Sequence, residues 1–350
     1  MPETQMPEKN TELNTAWGLL KKNSAAIQTV SAFDNETLKE CAFRYRYIND
    51  ISSGTFGAVG LVRDMLSLET HALKIVFQDP KHKNRELAIM KAMAHPSIVS
   101  LRKYFYMETQ KKDTFLGLVM ECLPESLSAA LETSQEKVLE EVEILVFQVL
   151  NALVYLHRKG IAHRDLKPGN ILLDMEKKIA KICDFGCAKR LSAEQENISY
   201  ICARYYRAPE LLRGETVYTP KIDMWSLGCI IAEIALGRPL WVGIDNTKQL
   251  SEIAKVLGIN AFKKQRAQAT KKKEAADTLL SFLLADRLSP DGVNLVEKML
   301  AYNPKDRISA AEAIEHAFFK ETRRFCHKNK VQPETLSAYL EKNKSGLQAL

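Results

Sequence analysis

The sequence lacks the features of a secreted or membrane-bound protein. Its 7 cysteines, at positions 41, 122, 183, 187, 202, 229 and 326, are too few and too scattered for a disulfide framework. No apolar run approaches the roughly 18 residues that a membrane span needs. The start, MPETQMPEKN, has no basic region followed by an apolar one. We therefore expect free thiols in a reducing compartment, no membrane partner, and a location in the cytoplasm or also in the nucleus.

A strong excess of one charge is missing as well. Lys+Arg 50 against Asp+Glu 43 gives a formal net charge of +7 over 350 residues. With 46% hydrophobic and 27% charged residues the composition is that of a globular protein, which excludes collagen-like and wholly disordered chains. At roughly 150 residues per domain, the length suits two domains or one unit with two lobes.

Two periodicities divide the chain after a polar stretch, residues 1–40, for which we predict a partly disordered N-terminal extension. Runs of β-branched and apolar residues between Gly, Asp and Pro breaks predict strands at Tyr45–Ile51, Ala58–Val62, His71–Phe77, Ile98–Tyr106 and Phe115–Cys122, with a helix at Arg85–Met93. From Leu139 to Leu156 the apolar residues recur three and four apart, and Ile222–Leu236 is apolar nearly all round. The prediction is an α+β fold with a small β-rich lobe first and a larger, mostly helical lobe second.

A glycine-containing segment, SGTFGAV at 53–59, lies between two predicted strands. Glycines let backbone amides approach phosphate oxygens, although an ordinary strand turn also explains them. Lys74 follows in a strand, and a buried ammonium needs an anionic partner. Glu86, 86 − 74 = 12 residues further on in the predicted helix, can supply that partner. A purely structural ion pair is the alternative.

The stretch HRDLKPGN at 163–170 decides between these alternatives. It is followed by DFG at 184–186, which begins 184 − 165 = 19 residues after Asp165, and by APE at 208–210. Phosphoryl transfer needs a carboxylate near the accepting hydroxyl, oxygen ligands for Mg²⁺, and cations on the phosphates. Asp165 can be the carboxylate, Asn170 and Asp184 can bind Mg²⁺, and Lys74 and Lys167 can bind the phosphates. No Cys/His cluster has zinc spacing.

With these motifs in order, residues 44–320 resemble a eukaryotic protein kinase. The lysine in HRDLKPGN is similar to that of Ser/Thr kinases. KNRELAIMKAMAHPSIVSLR (83–102), CDFGCAK (183–189) and SYICARYYRAPELL (199–212) resemble the glycogen synthase kinase-3 family, in the group that also holds cyclin-dependent and MAP kinases. The resemblance implies the bilobed kinase fold, with an N-lobe at 44–121, a hinge at 121–125, a C-lobe at 126–320 and a C-terminal tail at 321–350.

The resemblance also implies the site. Lys74, paired with Glu86, would hold the ATP phosphates, and Lys167 would steady the phosphate that is transferred by the action of Asp165. The ATP site would comprise Ile51, Gly54, Gly57, Val59, Ala72, Lys74, Glu121, Leu123 and Leu172, with Asn170 and Asp184 on Mg²⁺. Arg307 resembles the buried arginine that pairs with Glu210 and braces the activation segment.

The family prefers substrates that already carry a phosphate C-terminal to the target, held by three basic side chains. The matching positions here are Arg85, Arg164 and Lys189, all basic. Two guanidinium forks and an ammonium suit a dianionic phosphate. The alternative is that Arg164 and Lys189 anchor a phosphate on this chain's own activation segment. The implied partners are protein substrates primed by another kinase.

Tyr200 matches the activation-segment tyrosine that this family phosphorylates on itself. A phosphate there would pair with Arg204 and Arg207 and order the substrate-binding loop. A packed tyrosine with an exposed hydroxyl is the simpler interpretation.

The sequence departs from the family pattern in several places. Ser52 stands where the first glycine of the loop is expected, and Ala203 replaces a Ser or Thr whose hydroxyl links the catalytic aspartate and lysine. Gly258–Tyr302 is shorter and more lysine-rich than the family's insert, so the family's scaffold contacts are not carried over, although a scaffold or regulatory protein at the C-lobe remains an expected kind of partner. No arginine precedes Arg44, which argues against inhibition through a phosphorylated N-terminal serine.

Three other functions were weighed against a kinase for primed substrates. A proline-directed kinase would keep the same chemistry, but NRELAIM lacks the cyclin-recognition sequence. A pseudokinase scaffold has only Ser52 and Ala203 in its favour. Nucleic-acid binding rests on the basic run FKKQRAQATKKK at 262–273, which has no interleaved aromatic residue beyond Phe262 and fits a solvated face better.

Overall fold

The computed structural model describes residues 6–21, 26–54, 57–79, 84–192, 195–258 and 279–342. The chain divides into two compact units. The first unit comprises Met1–Ala94 and Val99–Leu123, and the second comprises His95–Ile98 and Pro124–Leu350. Within the described ranges, no helix is long and apolar enough to span a bilayer. The basic run at 262–273 lies outside the described residues.

The first unit is a closed barrel of six strands with two helices. The strands are β1 (Gln28–Asp34), β2 (Glu40–Gly54), β3 (Gly57–Asp64), β4 (Thr70–Phe77), β5 (Leu101–Glu108) and β6 (Thr114–Glu121), and the helices are α1 (Met6–Lys21) and α2 (Glu86–Lys91). The order around the barrel is β1-β2-β3-β4-β6-β5, and β1 closes it by pairing with β5. Alternation along β3 buries Ala58 and Val62 in the interior beside Leu73 and Ile75 of β4.

The first forty residues differ from the predicted extension. Residues 6–21 form α1, and residues 28–34 form β1 as a full member of the barrel. Ala16 and Leu20, four residues apart on α1, and Ala32 of β1 are buried in the barrel core. The composition of this stretch is polar on average, so its few apolar residues do not by themselves predict a folded segment. They stabilise it only because they pack against the barrel.

The second unit is mostly helical. Its helices are α3 (Leu127–Glu140), α4 (Val142–Arg158), α5 (Pro209–Leu212), α6 (Lys221–Leu236), α7 (Asn246–Leu257), α8 (Leu279–Leu284), α9 (Pro290–Met299), α10 (Ala310–Ala313), α11 (Lys320–Lys328) and α12 (Leu336–Lys342). Short strands β7 (Glu125–Ser126), β9 (Ile171–Asp174) and β10 (Ile179–Ile182) form one small sheet, and β8 (Ile161–Ala162) and β11 (Lys189–Arg190) form another. Single 3-10 turns occur at Pro168–Asn170, Phe185–Cys187, Arg204–Tyr206, Ala317–Phe319 and Pro333–Thr335. A β-rich unit followed by a helical one confirms the predicted α+β class.

Helix α6 is the centre of the second unit and is buried along nearly its whole length, as its all-round apolar pattern predicts. The guanidinium of Arg307 lies over the ring of Trp225 at 5.1 Å from the ring centroid. The same guanidinium forms a bidentate ion pair with Glu210, at 2.8 and 3.0 Å, with both side chains buried. The predicted pair of Arg307 and Glu210 is therefore present, and it ties α5 to the chain that follows α9.

Candidate active site

The first unit holds a buried ion pair between a strand and a helix. Lys74 lies in β4, and its Nζ is 2.7 Å from Oε1 of Glu86 at the start of α2. Both side chains are buried, and the backbone amide of Glu86 donates to the side chain of Asn84. An ammonium at this depth is stable because the carboxylate compensates its charge. The predicted pairing of Lys74 with Glu86 is confirmed.

The glycine-containing hairpin connects β2 and β3. Gly54 pairs with Gly57 at its end, and Ser52 pairs with Val59 two steps further from the turn. Gly57 has a φ of +136°, and a Cβ there would overlap the carbonyl oxygen of Ile75 in β4. Glycine is therefore required at 57 by its backbone conformation and by close strand packing. Thr55 and Phe56 lie outside the described residues.

The remaining predicted ATP-site residues occupy strands or strand ends. Ala72 pairs with Met120 across β4 and β6, and Glu121 ends β6. The Glu121 carboxylate accepts a hydrogen bond of 2.6 Å from the backbone amide of Ser100, and its own amide donates to the Ser100 carbonyl at 3.1 Å. Ile51 is exposed on β2, Leu123 ends the first unit, and Leu172 lies half-buried in β9 of the second unit. Backbone hydrogen bonds thus fix the strand that the predicted hinge continues.

The second unit brings Asp165, Lys167 and Asn170 together in the loop that follows β8. Lys167 Nζ donates to Oδ2 of Asp165 at 2.9 Å, and Asn170 Nδ2 donates to the Asp165 carbonyl at 2.8 Å and to its Oδ2 at 3.3 Å. The backbone amide of Ala203 donates to Oδ1 of Asp165 at 3.0 Å. Asp165 is therefore held by donors on both carboxylate oxygens, which fixes its orientation.

The ammonium of Lys167 remains a cation in this environment. Partial burial alone would lower its pKa, but the hydrogen bond that it donates to Asp165 and the negative charges of Asp165 and Asp184 outweigh burial and raise the pKa above its ordinary value. A charged lysine beside a carboxylate is suited to contact a phosphoryl oxygen.

Asp184 precedes a 3-10 turn in a left-handed conformation, with a φ of +62°, and its side chain accepts a hydrogen bond from the amide of Gly186. Asn170 lies near it in the fold, because its backbone carbonyl accepts from the amide of Cys183. Within the described ranges, no group of three or more His, Cys, Asp or Glu side chains forms a metal site. Mg²⁺, which is bound through one or two protein oxygens and keeps phosphate and water ligands, fits this donor set of one carboxylate and one amide.

Asp223, which sequence reasoning did not identify, supports the loop that carries Asp165 by binding its backbone amides. Its Oδ2 accepts from His157 Nε2 and from the backbone amide of His163, and its Oδ1 accepts from the amide of Arg164, each at 2.9 Å. Burial alone would raise the pKa of Asp223, but these donors hold it below its ordinary value. A carboxylate in the first turn of the largely apolar helix α6 was the available signal, because a buried charge requires partners.

Two left-handed residues face one another across the loop. Arg164 has a φ of +68° and Cys202 a φ of +65°, and the Cys202 thiol donates to the Arg164 carbonyl at 2.7 Å. Burial raises the pKa of Cys202 well above its ordinary value, so the thiol stays protonated and able to donate. Strained backbone of this kind persists only where surrounding contacts hold it, here the bonds to Asp223 and Cys202.

We expect Ala203→Ser to raise kcat. The backbone of Ala203 already binds Asp165, but no hydroxyl is present to add a second link between Asp165 and Lys167. One further hydrogen bond of about 1 kcal/mol corresponds to roughly a fivefold gain. Steady-state phosphorylation of a peptide by parent and variant measures the effect, and Ala203→Val is the matched control for side-chain bulk. A serine variant no faster than the parent would contradict the expectation.

The predicted phosphate-binding residues of the second unit converge on one stretch of the activation segment. Arg164 is buried, and its guanidinium donates to the Cys187 carbonyl and to the Tyr218 hydroxyl, which in turn donates to the Ile198 carbonyl. Lys189 Nζ donates to Oδ1 of Asn197 at 2.5 Å. Arg85, the third predicted member, is an exposed residue at the N-terminus of α2 in the first unit.

Tyr200 is exposed, with 70% of its surface accessible. The guanidinium of Arg207 stacks on its ring at 4.5 Å, and donates to the Cys202 carbonyl and to Asn246. Arg204 donates to the carbonyl of Ile244. The Nε atoms of Arg204 and Arg207 are buried and make no hydrogen bond within the described residues. Two cationic groups with spare donors therefore lie on the same segment as an accessible phenol.

Comparison with known proteins is consistent with this geometry. A family model described as a protein kinase domain matches residues 45–319. The chain is 43% identical over 303 residues to "Protein kinase gsk3" of Schizosaccharomyces pombe (strain 972 / ATCC 24843), covering 84% of this chain and 78% of that protein. It is 39% identical over 291 residues to "Glycogen synthase kinase 1" of Pyricularia oryzae, covering 80% of this chain and 73% of that protein.

Proposed function

Because the chain belongs to the protein kinase family, as a Ser/Thr kinase of the glycogen synthase kinase-3 family, we propose that it phosphorylates substrates that already carry a phosphate C-terminal to the target residue. The observation that carries this proposal is that two cations reach the same stretch of chain: Lys189 donates to Asn197, and Arg164 donates to the Tyr218 hydroxyl, which donates to the carbonyl of Ile198. A guanidinium and an ammonium that are held at the same stretch of chain suit a dianionic phosphate.

The residues of the second unit divide the chemical work. Asp165, held by Lys167, Asn170 and Ala203, accepts or orients the proton of the substrate hydroxyl. Lys167 steadies the oxygens of the phosphoryl group as it moves, since its ammonium stays charged. Asp223 positions the loop by holding the backbone amides of His163 and Arg164.

ATP and Mg²⁺ fit the residues that the sequence predicts for them. When bound, ATP would supply the phosphoryl group and Mg²⁺ would neutralise part of the phosphate charge. Lys74, held by Glu86, would bind the α- and β-phosphates, and Asn170 and Asp184 would hold the metal. Val59 and Ala72 would form apolar walls for the base in the first unit, and Leu172 would do so in the second.

Arg85, in the first unit, is the third residue that the family resemblance predicts for binding the priming phosphate. It is exposed and makes no side-chain cap of α2, so a guanidinium is available there without rearrangement of the helix. A phosphate bound by two guanidinium groups and one ammonium would be selected over a carboxylate by charge and by geometry.

The two alternatives, a proline-directed kinase and a pseudokinase scaffold, require different residues. A proline-directed kinase needs no phosphate site, so Arg164 and Lys189 would serve only to order residues 197–198. A pseudokinase would tolerate loss of the Asp165 and Lys167 pair, yet both residues are present and hydrogen-bonded to one another. We also propose that Tyr200 is phosphorylated and then binds Arg204 and Arg207, that protein substrates primed by another kinase are the partners, and that the enzyme works in the cytoplasm or also in the nucleus.

One peptide synthesised in two forms tests the proposal. The forms differ only by a phosphoserine four residues C-terminal to the target serine, and transfer from MgATP is measured with the parent and with Lys189→Met. We expect kcat/KM to favour the phosphorylated peptide by about tenfold to a hundredfold, the value of one or two charge-assisted hydrogen bonds. Lys189→Met should remove most of that preference and leave turnover of the plain peptide unchanged.

Other results separate the alternatives. Equal turnover of both peptides contradicts the primed-substrate proposal and favours a proline-directed kinase. Transfer no greater than that of Asp165→Asn, with ATP still bound, identifies a pseudokinase.

A further inference from the structure

Helix α1 packs against one row of cross-strand neighbours in the barrel, and we call such a row a rung. Leu20, fully buried, sits over Gly60 of β3, where a Cβ would come within 2.8 Å of Leu20 Cδ2 and 2.9 Å of the Tyr47 ring. A glycine with no positive φ is not required there by the backbone. Its place in the middle of a strand is explained by the close approach of α1, because Gly otherwise weakens a strand.

A second contact reaches the same rung. Lys21, the last residue of α1, forms an ion pair of 2.8 Å with Asp50 of β2, and Asp50 is the cross-strand partner of Gly60. On the other side Gly60 pairs with Leu73 of β4. The rung contacted by α1 is therefore Asp50–Gly60–Leu73.

The neighbouring rung carries the predicted ATP-site residues. Val59 pairs with Ser52 on one side and with Lys74 on the other. Successive residues of a strand point to opposite faces, so Val59 and Lys74 lie on the face opposite Gly60 and Leu73. A register irregularity separates Asp50 from Ser52 and leaves Ile51 between the two rungs. Such irregularities re-aim the side chains beside them.

We propose that α1 is a positioning element of the nucleotide site, which sets the Ser52–Val59–Lys74 rung by holding the adjacent Asp50–Gly60–Leu73 rung from the opposite face. The inference rests on the proposed use of ATP. Release of α1 frees Asp50 and the irregular step at Ile51, so Val59 and the glycine hairpin lose their fixed place over the nucleotide. The effect therefore falls on ATP affinity and spares the peptide site.

Leu20→Asp in the full chain tests the proposal, since a buried carboxylate on the helix face disfavours docking without altering the hairpin. We expect KM for ATP to rise by about three- to thirtyfold, the range of energetic coupling through packed elements. KM for the peptide and kcat should stay within about twofold of the parent. Leu20→Met, which keeps volume and apolarity, should retain the parent KM for ATP.

Docking itself has an independent signal in Trp17, one turn before Lys21 on α1, whose ring lies 4.6 Å from the Lys21 ammonium. The other two tryptophans, Trp225 and Trp241, are buried in the second unit. Leu20→Asp should shift the emission of Trp17 to longer wavelength, identified by difference against the same protein with Trp17→Phe. Gly18→Ala, at a position with nothing within 4 Å, is the control on α1 and should change neither emission nor KM.

Gly60→Ala disturbs the same contact from the strand side and, unlike Leu20→Asp, introduces no charge. It should raise KM for ATP in the parent and have a smaller effect in the Leu20→Asp background, because both changes remove one contact. Equal effects in the two backgrounds overturn the proposal.

Binding of a non-hydrolysable ATP analogue with Mg²⁺ separates this inference from the proposed function. Binding is measured as the rise in Tm that the analogue causes. A parent that binds the analogue more tightly than Leu20→Asp, but transfers no phosphate, refutes the proposed function and supports the role of α1. An active parent, with Leu20→Asp undocked by Trp17 emission and unchanged in KM for ATP, overturns the role of α1. Unchanged Trp17 emission in Leu20→Asp overturns it too.

Discussion

Asp165→Asn is expected to lower kcat for peptide phosphorylation by about 10²- to 10⁴-fold, the contribution of a positioned general base. The substitution keeps size and shape but replaces one acceptor oxygen by an amide donor. Asp165 accepts from Lys167 and Asn170 on one oxygen and from Ala203 on the other, so the new NH₂ group must face one of these donors. The variant therefore loses both the base and its orientation.

The loss should fall on turnover and leave nucleotide binding intact. The substitution leaves Lys74 and the glycine hairpin, the groups of the first unit proposed to contact the ATP phosphates, unchanged. A Tm rise with the ATP analogue within about a degree of the parent's is the expected companion result. Asp174→Asn is the matched control, since Asp174 is also a buried carboxylate but caps the turn after β9 through Lys177. Turnover by Asp165→Asn within tenfold of the parent would show that another group acts as base.

The parts of the site that follow from local sequence were predictable. Lys74 and Glu86 are 12 residues apart, the first in a predicted strand and the second in the predicted helix that follows. Because each would be buried, each needs the opposite charge of the other, and the structure contains this ion pair. HRDLKPGN brings Asp165, Lys167 and Asn170 within five residues, so a single loop can unite them whatever the surrounding fold. Arg307 and Glu210 are distant in sequence, and their pairing was predicted only through the family resemblance.

What sequence reasoning missed depends on contacts between distant segments. In the sequence, Leu20 is one apolar residue in a polar stretch. Its role is visible only in the fold, where Gly60 leaves space for its side chain. Asn197 has no local pattern, and its role arises because Lys189 and Tyr218 reach the same turn of chain. The strand β1 is short and alternates weakly, so only its pairing with β2 and β5 makes it part of the barrel.

Asp223→Asn should be the second most damaging change, although Asp223 touches neither nucleotide nor substrate in the proposed mechanism. Its two oxygens accept from the backbone amides of His163 and Arg164 and from His157. An asparagine presents one oxygen and one NH₂ group, so at least one buried backbone N–H loses its acceptor. Loss of a hydrogen bond to a buried charge lowers the free energy of unfolding by about 3 kcal/mol.

Turnover should fall further than stability alone explains. Arg164 holds a φ of +68° against Asp223, and its relaxation would move Asp165, the next residue, out of place. A displacement of about 1 Å at a reacting group can cost roughly a hundredfold in kcat. Kinetics are measured at a temperature where the variant is folded by circular dichroism, with Asp174→Asn alongside as a buried Asp-to-Asn change outside the loop. Equal kcat in the two variants would contradict a positioning role for Asp223.

The pH dependence of unfolding gives Asp223 a signature of its own. The pKa of Asp223 in the folded state lies below its ordinary value of 3.8, because His157 and the backbone donors outweigh burial. A carboxylate with a depressed pKa contributes its full stability above the unfolded value, and loses it as the pH falls through the folded value. The difference in unfolding free energy between parent and Asp223→Asn should therefore have its full value at about pH 5 and shrink below about pH 4, where the carboxyl of the unfolded parent takes up a proton before that of the folded parent does. A difference that grows towards acid pH would mean that Asp223 is protonated in the folded protein, and that the catalytic loop is supported by some other charge.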